Sequence, residues 1–148
     1  MLKPAKILVP TDFSKASDAA LEQAIDIARH YNAELYVFHV IPMDLTHAFA
    51  DYAIPVDAID SFERLQIDGA FDSMKQQIAA FPKSKDLTVT MNIAKGVAYD
   101  EILKQAKQEG IDLIVIASLG KSGLAKYLIG SVARNVLKKA HCPVLLTR

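Results

Sequence analysis

One cysteine, Cys142, stands in a chain of 148 residues, so no disulfide can close within it. That usage suits a reducing compartment, and the expected location is the cytoplasm. Charge of one sign is also missing. Seventeen Lys and Arg face seventeen Asp and Glu, a formal net charge of zero. Proteins that hold nucleic acid draw much of their affinity from excess basic charge, so the balance offers that partner no support. Long apolar runs are absent too, and nothing approaches the roughly 18–20 residues needed to cross a bilayer. The opening Met1-Leu2-Lys3-Pro4 leads straight into a strand-like segment, without the apolar stretch and cleavage site of a signal peptide. No membrane partner is expected.

What is present is an ordinary globular composition, 51% apolar and 23% charged. The length suits one domain over residues 1–148. Lys6 to Pro10 is a short apolar run ended by proline, the pattern of a strand buried on both faces. Ser14 or Asp12 can cap the helix that follows, whose Ala20, Leu21, Ala24, Ile25 and Ala28 recur at helical spacing. Asn32-Ala33 is a turn, and Glu34 to Ile41 a second strand. Residues 42–55 have turn chemistry and no period, as a functional or a mobile loop would.

A long amphipathic helix is predicted from Asp57 to Phe81, its Ile59, Phe62, Leu65, Phe71, Met74 and Ile78 facing the core, with Gly69 as its weak point. Leu87 to Ala94 alternates, as an edge strand would. Ala98 to Gln108 is helical and stops at Gly110. Leu113 to Ala117 is the most apolar strand and belongs at the sheet centre. Ser131 to Ala140 is a helix and Pro143 to Thr147 a fifth strand. Such alternation argues for a parallel sheet with helices on both faces.

Ligands of open parallel sheets bind beyond the carboxyl ends of the strands, where the strand order reverses. At that edge the chain reads Ala117-Ser118-Leu119-Gly120, then nine residues, then Gly130-Ser131-Val132. Glycine lets backbone amides approach a bound group closely, and a helix start offers free amides with the positive end of a dipole. An anion site is one reading; a plain helix cap after a turn is the other.

Several other patterns fail on particular residues. Gly120-Lys121-Ser122 resembles the end of a P-loop, but Val115 stands where that loop needs its first glycine. Lys121 and Lys126 are expected to be solvated loop lysines. A phosphoacceptor receiver needs a carboxylate after its third strand, and Ile93-Ala94-Lys95-Gly96 has none. His30, His39, His47 and His141 lack metal-ligand spacing, so no metal site is expected, and His39 reads as a structural histidine. Cys142, beside Pro143, reads as packing. No nucleophile turn is present, and no catalytic residues are assigned.

The spacing Gly-x2-Gly-x9-Gly-Ser/Thr resembles the signature of the ATP-binding branch of the universal stress proteins, with Ala117 in place of its first glycine. Ile7 to Ser14, Phe38 to Ile41, Gly130 to Val136 and His141 to Val144 are similar to other segments of that family. The resemblance implies a five-stranded sheet in the order 3-2-1-4-5, with ATP, and Mg²⁺ on its phosphates, at the switch between strands one and four. By position, Asp12 would meet the adenine edge beside Pro10 and Thr11, and Val40 would contact the base. Ala117 and Gly120 would approach ribose and phosphates, and Gly130, Ser131 and Val132 would hold the phosphates. Ala133 stands where ATP binders can carry a hydroxyl. The resemblance also implies a homodimer through residues 143–147, whose apolar edge strand would otherwise stay unpaired.

Three functions follow: a regulatory module that binds adenine nucleotide without being an enzyme, a dimeric interaction protein with a vestigial cleft, and a small-molecule enzyme using Asp12 as base.

Overall fold

The computed structural model describes residues 1–43, 52–120 and 128–148. Most of the irregular segment predicted over 42–55 lies outside them, as do His47, Lys121, Ser122 and Lys126.

Strand β1 (Lys6–Pro10) leads into helix α1 (Lys15–Tyr31). Ser14 is the N-cap, its Oγ accepting the Ser17 amide at 3.2 Å, and Asn32 closes the helix in left-handed geometry at φ 55°. Strand β2 (Glu34–Ile41), helix α2 (Val56–Ala79) and a 3-10 turn (Pro82–Asp86) follow. The chain ends with β3 (Val89–Lys95), α3 (Ala98–Glu109), β4 (Leu113–Ala117), α4 (Ser131–Lys139) and β5 (Val144–Thr147). Gly110 stops α3 at φ 65°, a left-handed cap that glycine adopts without a Cβ clash.

All pairings are parallel, in the order β3-β2-β1-β4-β5. The central strands β1 and β4 are buried on both sides, which is why their sequences are unbroken apolar runs. One face packs Ile7, Val9, Leu35, Val37 and Val115 against Leu21 and Ile25 of α1 and Met74 of α2. The other packs Leu8, Phe38, Ile114 and Ile116 against Ile102 and Ala106 of α3 and Ala133 and Val136 of α4. Cys142 packs beside this second core, and burial together with the nearby Asp112 carboxylate pushes its thiol pKa up.

Helix α2 departs from the predicted pattern. Its second half buries Ala70, Met74 and Gln77, but Leu65 is 71% exposed and Phe62 and Ile67 lie outside the core as well. The inward stripe predicted from Ile59 onward therefore begins only near Ala70. Length explains the difference. Twenty-four helical residues span ~36 Å, whereas the longest strand, of eight residues, spans ~26 Å. Glu63 pairs with Lys95, the last residue of β3, so the residues before it project beyond the sheet. The periodicity showed which side of the helix is apolar, but not how far the sheet extends beneath it. Gly69, the predicted weak point, lies on an exposed face, and the helix runs through it unbroken.

A candidate nucleotide cleft at the β1–β4 switch

The site begins with a parting of strands. The ladder between β1 and β4 pairs Ile7 with Leu113 and Leu8 with Ile114 and goes no further. Pro10 has no N–H to extend it. The chain after β1 turns toward α1, while the chain after β4 leads toward α4, and a cleft of about 200 Å³ opens between them.

Its acidic corner is rigid. Asp12 Oδ1 accepts the Ser14 amide at 3.0 Å, and the Thr11 amide donates to the Phe38 carbonyl at 2.8 Å. Between these two tethers Phe13 sits at φ 64°, an uncommon geometry for a bulky residue, with its ring 4.5 Å from that of His39. Nδ1 of His39 lies 2.8 Å from the Thr11 carbonyl. A carbonyl only accepts, so Nδ1 carries the proton. This is the structural histidine expected from the sequence, although it also lines the cleft.

The opposite corner is clipped to the first. The Gly130 amide donates to the Ser118 carbonyl at 2.7 Å, and the Ser118 amide donates to Thr147 in β5 at 2.8 Å. These bonds hold the start of α4 against the end of β4. A Cβ on Gly120 would lie 2.9 Å from Asp12 Oδ2, so glycine is what lets the two corners approach. Ala117 is the last residue of β4, in register with Thr147, and is not among the residues with positive φ. Its methyl therefore costs no backbone strain.

The two helices that border the cleft differ in charge. The first turn of α3 carries Asp100 and Glu101, whereas the first turn of α4 carries no acidic residue. Arg134 is the first residue of α4 whose amide finds an acceptor in the helix start, at the Gly130 carbonyl. The amides of Ser131, Val132 and Ala133 precede it and have no acceptor within the helix. Anions are favoured at such an end and disfavoured beside two carboxylates. Of the two helix starts, that of α4 is therefore the one suited to an anion, since Asp100 and Glu101 at the other are acidic and paired with Lys104.

All nine residues singled out from the sequence, Pro10, Thr11, Asp12, Val40, Ala117, Gly120, Gly130, Ser131 and Val132, line this one cleft. Sequence reasoning missed Ala98 and Ile102, which form an apolar wall from α3, and Ser17; Ser118 lay in the segment placed at that edge but was given no role. The helical pattern did place Ile102 inward; what it could not show is that its end of α3 overhangs the β1–β4 gap. Among the described residues no group of three or more His, Cys, Asp or Glu could hold a metal ion. No helix among them is long and apolar enough to cross a membrane.

Universal stress protein MJ0531 of Methanocaldococcus jannaschii is 31% identical, the match covering 97% of this chain and 81% of the relative. The solved structure of MJ0577, from the same organism, superposes with a TM-score of 0.82 at 28% identity, covering 99% of this chain and 96% of that one. A solved universal stress protein in complex with cAMP shares the fold at 23% identity, with a TM-score of 0.62 and coverage of 99% and 98%. The model of the universal stress protein family matches residues 4–148. Taken with the strand order and the cleft at its switch point, that match over nearly the whole length means that the chain belongs to the universal stress protein family.

Proposed function

We propose that this protein is a nucleotide-responsive regulatory module whose cleft binds an adenine nucleotide, with ATP carrying Mg²⁺ as the ligand that best uses both ends. The observation that carries the reading is the pairing of opposite chemistries in one cleft. Apolar Val40, Ala98 and Ile102 lie with the Asp12 carboxylate, and the acid-free start of α4 supplies its free amides. A carboxylate accepts from an exocyclic amine, while amides and the Ser131 hydroxyl donate to phosphate. Val40, Pro10 and Thr11 would border the base, and Asp12 would meet its amine. Ala117 and Gly120 would face ribose and phosphates, and Gly130, Ser131 and Val132 would hold the phosphates. A solved protein of this fold in complex with cAMP supports the adenine end of the assignment.

Binding rather than turnover is the proposed task. The two titratable side chains on the described cleft wall are already engaged in holding the backbone, Asp12 at Ser14 and His39 at Thr11. The test is a thermal melt with and without MgATP. Ligand at about 100 times its dissociation constant adds roughly 2.7 kcal/mol, a rise of roughly 5–10 °C for a domain of this size. An unchanged melting temperature at millimolar MgATP, AMP and cAMP would refute the reading.

The same proposal includes a homodimer and a cytoplasmic setting. Strand β5 is the last in the sheet order, and Leu145 is exposed on it. Pairing two β5 strands about a two-fold axis would satisfy both edges at once. Leu145→Lys is expected to turn a dimer into a monomer by light scattering. A monomeric parent protein would overturn this part.

A further inference from the structure

The acidic corner of the cleft is held from behind by a residue that does not line it. Gln77, on the second half of α2, is buried together with Thr11 and Ser17. Its Nε2 donates to Asp18 Oδ1 at 2.6 Å and lies 3.3 Å from Ser17 Oγ. A carboxylate only accepts, so the amide orientation is determined and Oε1 faces Thr11. The Thr11 hydroxyl donates to that Oε1 at 2.8 Å and accepts the Phe13 amide at 3.1 Å. Ser17 Oγ in turn donates to the Ser14 carbonyl at 2.8 Å. Thr11, Phe13 and Ser14 of the turn that carries Asp12 are thus tied, directly or through one hydroxyl, to Gln77, and Asp12 is bonded in turn to Ser14.

We propose that Gln77 is a positioning residue for the nucleotide site: by orienting the Thr11 hydroxyl it keeps Phe13 in its left-handed conformation and thereby fixes where the Asp12 carboxylate points. This rests on the cleft being the nucleotide site. The reasoning is one of sequential constraint. Thr11 has a single hydroxyl proton, and while it is given to Gln77 Oε1 the oxygen's lone pairs are presented to the Phe13 amide. Without Gln77 the hydroxyl can turn toward Ser17, 3.1 Å away, and the hold on Phe13 weakens. Phe13 would then relax from its uncommon φ, and the Asp12–Ser14 bond, one residue either side of it, would loosen with it. Because α2 carries Gln77, the seating of that helix and the occupancy of the cleft are linked, and by reciprocity each biases the other.

Two measurements test this, one of them independent of any nucleotide. In the ligand-free protein, Gln77→Met keeps the side-chain volume and removes the amide. Hydrogen exchange at the Phe13 and Ser14 amides is expected to rise about ten-fold while β1 and β4 amides stay protected. Exchange that is unchanged at these two amides, or raised equally everywhere, overturns the proposal. The second measurement is a double-mutant cycle on the MgATP dissociation constant. Gln77→Met is expected to weaken binding about ten-fold in the parent, and to have almost no further effect in Asp12→Ala, because it acts through that carboxylate. Additive losses would show a purely structural role and overturn it. Thr11→Val should reproduce the Gln77→Met loss and Thr11→Ser should restore binding, since only the second keeps the hydroxyl. A parent protein that binds no nucleotide would refute the function proposed for the cleft, and the exchange experiment would still decide the role of Gln77.

Discussion

Gly130→Val will abolish the MgATP-dependent rise in melting temperature while leaving the ligand-free melting temperature within a few degrees of the parent. Gly130 has φ −59° and ψ 156°, an extended conformation that any residue adopts, so valine brings no backbone strain. What it brings is bulk at a crowded point. A Cβ there would lie 3.3 Å from the Ser118 carbonyl, the acceptor of the bond that clips α4 to the end of β4. Two further methyl groups must go either against that carbonyl or into the cleft in front of the Ser131 and Val132 amides. Either course removes the anion-facing geometry. The loss expected at saturating ligand is the whole linkage term, roughly 2.7 kcal/mol at 100 times the dissociation constant. A variant that keeps the full shift would place the nucleotide elsewhere on the molecule. The pairing of ligand-free and ligand-bound melts separates loss of binding from loss of fold.

Phe38→Ala is expected to cost roughly 3–5 kcal/mol of folding stability, with a fall in melting temperature of about 6–20 °C. Phe38 is 1% exposed, lies opposite Pro10 in the β1–β2 register, and belongs to the core face that packs against α3 and α4. It also floors the cleft. Its backbone carbonyl, which receives the Thr11 amide, is untouched by the change, so the acidic corner keeps its main-chain tether. The deficit is therefore one of packing, from the emptied volume between the sheet and Ile102 of α3. A loss below about 1 kcal/mol by chemical denaturation would show that the surroundings collapse into the space. MgATP should still raise the melting temperature of the variant, since the α4 amides remain in place.

Much of this architecture was legible because parallel strands and amphipathic helices leave different periods in a chain. Lys6–Pro10 reads as a doubly buried strand and Leu113–Ala117 as an interior one, both are buried inside the sheet, and Gly110 and Asn32 end helices as their left-handed conformations require. The glycine-bearing approach to α4 was visible as chemistry suited to an anion, while the role of the acidic turn after β1 toward a base amine came only with the family resemblance. The homology of several short segments then supplied the strand order.

Residue periodicity alone determined the elements, the two-sided burial of β1 and β4, and the residue types available at the sheet's ligand-binding edge, whereas β3, predicted to alternate, is half-buried along nearly its whole length. Only the tertiary structure decided that α2 outruns the sheet, leaving Leu65 and Phe62 outside, and that Gln77 from that helix reaches back to Thr11. Only it decided that Ala98 and Ile102 wall the cleft. The physical reason is that a side chain's spacing reports which way it faces along its own element. What it meets there depends on where another element, tens of residues away, happens to end.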